Sequence, residues 1–129
     1  MKKLRNVLFT LAILTLCLFL LPTEADAAGA WDLTFELNNS GTGYVVTDCN
    51  NAASGKLTIP KTYKEKPVNV IGGSAFEGCT SLTDVTIPNS VTFISSYAFS
   101  GCTSLKQITI PDSVTSIGWR AFSGCTSLT

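Results

Sequence analysis

The sequence predicts a mainly β fold, a solenoid of short parallel strands stacked above one another, and two observations support this prediction. First, the phrase Ala-Phe-x-Gly-Cys-Thr-Ser-Leu occurs three times at a constant interval of 23 residues, at 75–82, 98–105 and 121–128. Second, the segments 85–91 and 108–114, between the copies, share the pattern Val/Ile-Thr-Ile-Pro-x-Ser-Val. Such a period is typical of stacked arrays, in which each repeat buries its apolar face against its neighbours. Arrays of this kind offer broad surfaces, so the period also favours binding over catalysis.

Residues 1–27 have the three-part organisation of a secretory signal peptide. Basic residues come first, an apolar run follows from 7 to 21, and Ala25-Asp26-Ala27 supplies the small residues that a signal peptidase recognises. A membrane anchor is the alternative, but a helix over 7–21 spans only about 22 Å, short of the roughly 30 Å hydrocarbon core. We therefore expect cleavage after Ala27 and no stable membrane span in the mature chain.

Composition excludes several classes of function. Cleavage leaves 102 of the 129 residues, enough for one domain with a modest core and a net charge of about −1. Without a basic surface, nucleic-acid binding is not expected. The sequence contains no histidine, so Ser-His-Asp catalysis, Cys-His catalysis and imidazole metal ligands are all excluded. The carboxylates fall at different repeat positions and form no acid–base pair. We predict no enzymatic activity, no metal site and no cofactor.

Residues 31–54 are predicted to form an N-terminal β-hairpin cap and the segment leading into the array. Apolar and polar residues alternate over 31–37, which is the pattern of a half-buried strand. A turn-rich stretch at 38–43 separates it from a second strand at 44–47. A solenoid needs such a cover, because otherwise the edges and core of its first rung meet water. A separate small binding hairpin is the alternative, disfavoured because the apolar stripe needs a packing partner.

The repeats themselves occupy 55–129. The first is irregular, because the step from Pro60 to Pro88 is five residues longer than the regular period. The surplus falls in the polar segment 61–67, which we expect to bulge outward as a loop. The sequence stops at Thr129, where the next strand would begin, so the last repeat is incomplete and no C-terminal cap is expected. We therefore expect a fragment, a truncated product or the start of an interrupted reading frame, and pairing of this end with another chain is the alternative.

The middle repeat indicates how one rung is built. Val85 and Ile87 lie two residues apart, so both face inward from a short strand that Pro88 ends. Ala98 and Phe99 are adjacent and both apolar, which predicts a single helical turn there instead of a strand. The predicted inward positions are Leu82, Val85, Ile87, Val91, Ile94, Ala98, Phe99 and Cys102. Like residues should stack between rungs, with an internal aromatic column of Phe76, Phe99 and Phe122.

Cys79, Cys102 and Cys125 recur at the repeat period. A soft-metal site and disulfides are possible interpretations, since a rung spacing near ~4.8 Å lies within the range of disulfide Cα separations. Stacked side chains point in parallel, however, and three thiols cannot pair evenly. This favours cysteine as a small buried apolar residue. Cys49 lies outside this column, and we expect it to be an exposed, unpaired thiol.

Two sets of outward positions are candidates for a protein-binding surface. The slot before Ala-Phe holds Ser74, then Tyr97, then Arg120, and Trp119 lies beside it. Tyr, Trp and Arg are enriched at interface hot spots, although partial packing over the rung edge is an alternative interpretation. The second set is a flat polar strand face, where β-propensity alone would also favour threonine. It consists of Thr58, Thr86, Thr109, Asp84 and Gln107.

The repeat Leu-x-x-Val-Thr-Ile-Pro-x-Ser-Val-Thr-x-Ile-x-x-x-Ala-Phe-x-Gly-Cys-Thr-Ser resembles the BspA-like leucine-rich repeats of bacterial surface proteins. The resemblance covers 55–129, and the segments 43–47 and 54–60 are similar to the start of such arrays. It implies a leucine-rich-repeat solenoid in a secreted or surface-attached bacterial protein. Its repeats would serve adhesion or recognition of a protein or glycan ligand on host or neighbouring cells. The alternative is an N-terminal targeting or spacer region of a larger secreted enzyme.

Overall fold

The computed structural model describes residues 29–129, and the predicted signal peptide at 1–27 lies outside the described residues. Nine short strands account for the regular structure of this part, and a three-residue 3₁₀ turn at Ala30–Asp32 is its only helical element. The strands are β1 (Leu33–Leu37), β2 (Tyr44–Cys49), β3 (Gly55–Thr58), β4 (Thr62–Tyr63), β5 (Lys66–Ile71), β6 (Leu82–Thr86), β7 (Phe93–Ile94), β8 (Gln107–Thr109) and β9 (Ser116–Ile117). The predicted mainly β solenoid is confirmed.

Two parallel sheets run along the solenoid. The first sheet contains β2, β5, β7 and β9, and the second contains β3, β6 and β8. Each regular repeat contributes one strand to each sheet. The pairing follows the sequence period, since Val85 lies opposite Ile108 and Ile94 lies opposite Ile117. The 23-residue repeat therefore places like residues above like throughout the array.

The N-terminal hairpin is continuous with the array. β1 and β2 pair in the antiparallel sense, as predicted, but β2 also pairs in parallel with β5, with Val45 opposite Val70. The second strand of the hairpin is thus the first strand of the solenoid sheet. The sequence pattern predicts that the apolar residues of the first strand are buried on one face, and this prediction is wrong for the two residues at the ends of the pattern. Trp31 is 86% exposed because it lies in the 3₁₀ turn before β1, and Leu37 is 51% exposed at the far end of the strand.

The five-residue surplus of the first repeat forms a small hairpin. β4 pairs with β5 in the antiparallel sense, and Lys64 and Glu65 make the two-residue turn between them. Both have positive φ, 44° and 66°, as a type I′ turn requires. Tyr63 packs back onto the cap, stacked on Phe35 at 4.3 Å between ring centroids and edge-on to Tyr44 at 4.9 Å. The loop therefore covers apolar side chains of the cap while its charged turn stays exposed.

The core is a stack of like residues. All eight positions predicted to face inward in the middle repeat are buried, with exposures of at most 3%. The aromatic column is also confirmed, because the Phe99 ring stacks nearly parallel on Phe76 at 4.7 Å and on Phe122 at 5.3 Å. In the last rung, Phe122 and Ile108 are only partly buried, since each has a neighbouring rung on one side.

The predicted helical turn at Ala98–Phe99 is wrong in detail. Ala98 donates its N–H to the carbonyl three residues back at 3.3 Å, whereas Phe99 donates to the Ala121 carbonyl of the next rung at 2.7 Å. Adjacent amides thus bond alternately within the turn and across rungs, so the i→i−4 bonds of a helix cannot form. Gly101 closes the turn with a φ of 73°, the left-handed conformation that glycine adopts without strain.

Candidate functional site

The slot before Ala-Phe is a left-handed turn position in every repeat. Ser74, Tyr97 and Arg120 have φ values of 56°, 58° and 53°. Residues with a Cβ seldom adopt this conformation, which costs on the order of 1 kcal/mol unless the surroundings enforce it. Cross-rung hydrogen bonds enforce it at the first two positions, from the Ser74 N–H to the Ser96 carbonyl at 3.2 Å and from the Tyr97 N–H to the Trp119 carbonyl at 3.1 Å. The backbone is therefore fixed while the side chain projects from the rung and differs between repeats.

Three of the predicted binding residues form one surface cluster. We call Tyr97, Trp119 and Arg120 the aromatic cluster. The Tyr97 and Trp119 rings meet edge to face, with centroids 5.3 Å apart and an interplanar angle of 87°. The Arg120 guanidinium lies 4.2 Å from the centroid of the Trp119 ring, within cation–π range. Trp119 remains 62% exposed, so the cluster presents a broad aromatic surface with a fixed positive charge.

The other predicted residues lie on the outer face of the second sheet, which we call the polar face. Thr58, Thr86 and Thr109 are paired in register and exposed, forming one row. A second row contains Asp84, opposite Gln107 on one side and Lys56 on the other. The prediction omitted Lys56, although its spacing of two residues from Thr58 on β3 places it on the same face.

A shallow depression adjoins the second row of the polar face. Its lining carries one carboxylate, two ammonium groups and several hydrogen-bonding side chains: Lys56, Asp84, Lys106, Gln107, Thr126, Ser127 and Thr129. The predicted binding residues therefore divide between two surfaces. The aromatic cluster follows the strands of the first sheet, whereas the polar face belongs to the second sheet.

Cys49 extends the cysteine column at its N-terminal end. It is 2% exposed, its thiol donates a hydrogen bond to the Asn50 carbonyl at 3.7 Å, and the Cys79 thiol donates to the Cys49 carbonyl at 3.9 Å. The expectation of an exposed thiol outside the column is wrong, because β2 joins the array and carries its last residue into the core. Interaction with the Cys79 side chain, together with burial, raises the pKa of Cys49 well above its ordinary value. Interaction with the Cys49 side chain lowers the pKa of Cys79.

The two later cysteines are hydrogen-bonded core residues. Cys102 donates its S–H to the Phe76 carbonyl at 3.0 Å, and Cys125 donates to the Phe99 carbonyl at 3.1 Å. Burial raises the pKa of Cys102 to about 12 and also raises the pKa of Cys125. Both act as neutral, small core side chains. Within residues 29–129, no three His, Cys, Asp or Glu side chains are grouped as metal ligands.

A β-solenoid whose rungs repeat every 23 residues and stack leucine, isoleucine and phenylalanine belongs to the leucine-rich repeat class. Residues 48–129 match the family model described as BspA type leucine-rich repeat region, in six copies. The chain therefore belongs to the BspA-type leucine-rich repeat proteins. The match begins within β2, where the hairpin joins the first sheet. Among curated proteins, no sequence match reaches significance.

Solved bacterial structures share this fold. A T. pallidum leucine-rich repeat protein is 32% identical with a TM-score of 0.74, over 79% of this chain and 47% of that one. A leucine-rich cell surface protein from Faecalibacterium prausnitzii is 37% identical with a TM-score of 0.65, over 76% and 28% of the two chains. A Bacteroides ovatus leucine-rich repeat protein is 35% identical with a TM-score of 0.67, over 75% and 27%. The present chain thus spans half or less of the length of these three relatives. Over residues 29–129 no helix has the length and apolarity needed to cross a bilayer.

Proposed function

We propose that this chain is an exported, non-enzymatic leucine-rich-repeat module that binds a protein or glycan ligand at the bacterial cell surface. The observation that carries the proposal is the aromatic cluster. It combines the three residue types most enriched at interface hot spots, in mutual contact on a rigid turn. The sequence supports export through its N-terminal leader, and one structural relative is described as a cell surface protein.

The fold itself does not require aromatic residues in this slot. The first repeat has Ser74 there, with the same left-handed backbone as Tyr97. Covering the exposed face of Trp119 with a partner would remove apolar surface from water, at about 25 cal/mol for each Å². Because the ring is already held by Tyr97 and Arg120, little side-chain entropy would be lost on binding. These features support a contact site that serves recognition.

The polar face supplies a second type of contact. Its threonine hydroxyls and the row of Lys56, Asp84 and Gln107 offer hydrogen bonds at the regular spacing of the rungs. A protein edge or a glycan could use such a surface. The absence of histidine from the sequence and the separation of its carboxylates support a role in binding without catalysis.

Export is tested by expressing the full chain in a bacterial host and determining the N-terminal sequence of the recovered protein. We expect a mature chain beginning at Ala28 in the surface or extracellular fraction. Recovery from the cytoplasm alone, with Met1 and the leader intact, would contradict export.

Adhesion is tested with the labelled chain on cultured epithelial cells and on bacterial cells. We expect saturable binding to at least one of these surfaces, displaced by unlabelled chain. Treating the cells beforehand with protease or with glycosidases distinguishes a protein ligand from a glycan. Binding that neither saturates nor is displaced on either surface would contradict the proposed role.

A further inference from the structure

We propose that Cys49 and Cys79 form a disulfide that fastens the N-terminal hairpin to the first rung of the array. Cys49 is the last residue of β2, and Cys79 follows the Ala-Phe turn of the first repeat. Both are buried, with exposures of 2% and 0%. The bond would therefore join two elements that are separate in sequence and packed together in the fold.

The Cys79 side chain reaches the end of β2 across this junction. The Cys79 sulfur lies 3.9 Å from the carbonyl oxygen of Cys49 and 3.6 Å from Oδ1 of Asn51. The Cys49 sulfur lies 3.7 Å from the Asn50 carbonyl oxygen, so both sulfur atoms lie beside the same short segment, 49–51. Two buried cysteines placed in this way can form a disulfide with limited side-chain movement.

The objection that stacked thiols point in parallel does not apply to this pair. Cys79, Cys102 and Cys125 occupy equivalent positions 23 residues apart, and the last two each direct the S–H to a carbonyl 26 residues earlier in the chain. Cys49 lies 30 residues before Cys79, at the end of a strand and not at the equivalent turn, so it is not part of the 23-residue series. The later cysteines also have well-formed S–H bonds to carbonyl groups, at 3.0 and 3.1 Å, whereas the Cys79 contacts are longer.

The disulfide forms by thiol–disulfide exchange, which can begin at Cys79 while its thiol is still accessible. The Cys79 thiolate attacks a donor disulfide, either of a thiol–disulfide oxidoreductase or of a small molecule, and expels one donor thiolate. Cys49 then loses its proton, attacks the Cys79 sulfur of the mixed disulfide and expels the second donor thiolate. Two protein thiols are oxidised, and the donor disulfide is reduced to two thiols.

Both cysteines are buried in the folded chain, so the reaction precedes docking of the hairpin. Disulfide donors of this class act in oxidising compartments outside the cytoplasm. The supply of oxidant in the cell thus rests on the proposed export, whereas the pairing itself rests only on the geometry. Refolding in vitro separates the two, because the oxidant is added directly.

The proposed disulfide between Cys49 and Cys79 is tested on the full chain carrying Cys17→Ser. This variant retains only the four cysteines of the described residues. The reduced, unfolded protein is refolded in a buffer of reduced and oxidised glutathione, and free thiols are alkylated in acid-quenched denaturant. Peptide mapping by tandem mass spectrometry should show Cys49 linked to Cys79, with Cys102 and Cys125 alkylated. Free or glutathione-capped Cys49 and Cys79, or a bond from Cys79 to Cys102, would overturn the proposal.

Matched variants provide the control. Cys102→Ala should retain the bond between Cys49 and Cys79, and Cys79→Ala should leave Cys49 free. Reduction of the linked protein should lower the Tm by about 10–20 °C, since the bond closes a loop of roughly 30 residues. The double variant Cys49→Ala/Cys79→Ala should show no such response. An unchanged Tm on reduction of the linked protein would contradict a fastening role, and this comparison does not depend on folding of the variants.

Discussion

Single residues of the core differ in how many rungs they contact. Phe99 is fully buried and stacks on a phenylalanine on each side, whereas Phe122 has one aromatic neighbour and remains partly exposed. Because each rung packs only against its neighbours, the energy of a side chain depends on its place along the array. The same residue type at equivalent repeat positions should therefore contribute unequally to stability.

Replacing Phe99 by alanine tests this dependence. Phe99→Ala should lower the free energy of unfolding by about 3–5 kcal/mol, because it removes a ring from the middle of the column and leaves a cavity. Phe122→Ala is the matched control and should lower it by less than about 2 kcal/mol, since its site is open on one side. Guanidinium denaturation measures both values. Equal losses would show that the rungs do not stabilise one another as described.

The titration of Cys102 predicts a loss of stability in alkali. Burial raises its pKa from about 9 to about 12, so the folded state keeps its proton more firmly than the unfolded state. The stabilisation of the folded state by this shift is complete below about pH 9. It is lost as the pH rises towards about 12, because the Cys102 thiol ionises in the unfolded chain before it ionises in the folded one. Between these limits, the stability of the native chain should fall more steeply than that of Cys102→Ala. Denaturation curves at several pH values make the comparison, and identical slopes would contradict it.

The burial of single residues inside the repeat could be predicted from the sequence, whereas the burial of Cys49 and Trp31, outside it, could not. Within the repeat, each inward position is defined three times by its copies, and Val91 or Ile94 needed no further information. Cys49 and Trp31 have no such copies. Their environments depend on where β2 docks and where β1 begins, which are consequences of tertiary packing.

Among the elements, the β4–β5 hairpin carries avoidable backbone strain. Lys64 and Glu65 both adopt positive φ, which side chains with a Cβ disfavour. The double substitution Lys64→Asn/Glu65→Gly introduces the preferred type I′ turn and should raise stability by about 1 kcal/mol. For a chain of this size, that gain corresponds to a Tm increase of roughly 4–8 °C.

Thermal unfolding measured by circular dichroism provides the test of this turn. Lys61→Asn is the control, because it changes a neighbouring exposed lysine outside the turn and should leave the Tm within about 2 °C. A lower Tm for the Asn-Gly variant would indicate that the lysine and glutamate side chains stabilise the hairpin.

The sequence located this element without defining its form. The surplus over the 23-residue period places the insertion at 61–67, but a polar composition predicts only a loop. Its hairpin form depends on Tyr63 packing against Phe35, almost thirty residues earlier. The Ala-Phe turn is similar, since its non-helical backbone is set by hydrogen bonds to the next rung, which local sequence does not reveal.

For the molecule as a whole, the repeat accounts for the architecture and leaves its outer surface free to vary. The core positions and both sheets follow from one 23-residue pattern. The predicted binding residues, in contrast, separate into the aromatic cluster and the polar face, because the strands of one repeat belong to different sheets. Sequence spacing alone does not show which side of the coil a residue occupies.

The central claim is that the aromatic cluster binds a ligand while contributing little to folding. The most direct measurement compares saturable cell binding and thermal unfolding of Tyr97→Ala/Trp119→Ala with those of Thr34→Ala/Glu36→Ala, which changes two exposed residues of β1 outside both candidate surfaces. We predict that the aromatic variant loses at least about 30-fold in affinity, as expected for loss of a hot spot, while its Tm changes by only a few degrees. The β1 variant should bind within about threefold of the native chain. Native affinity in the aromatic variant, with unchanged unfolding, would contradict the claim.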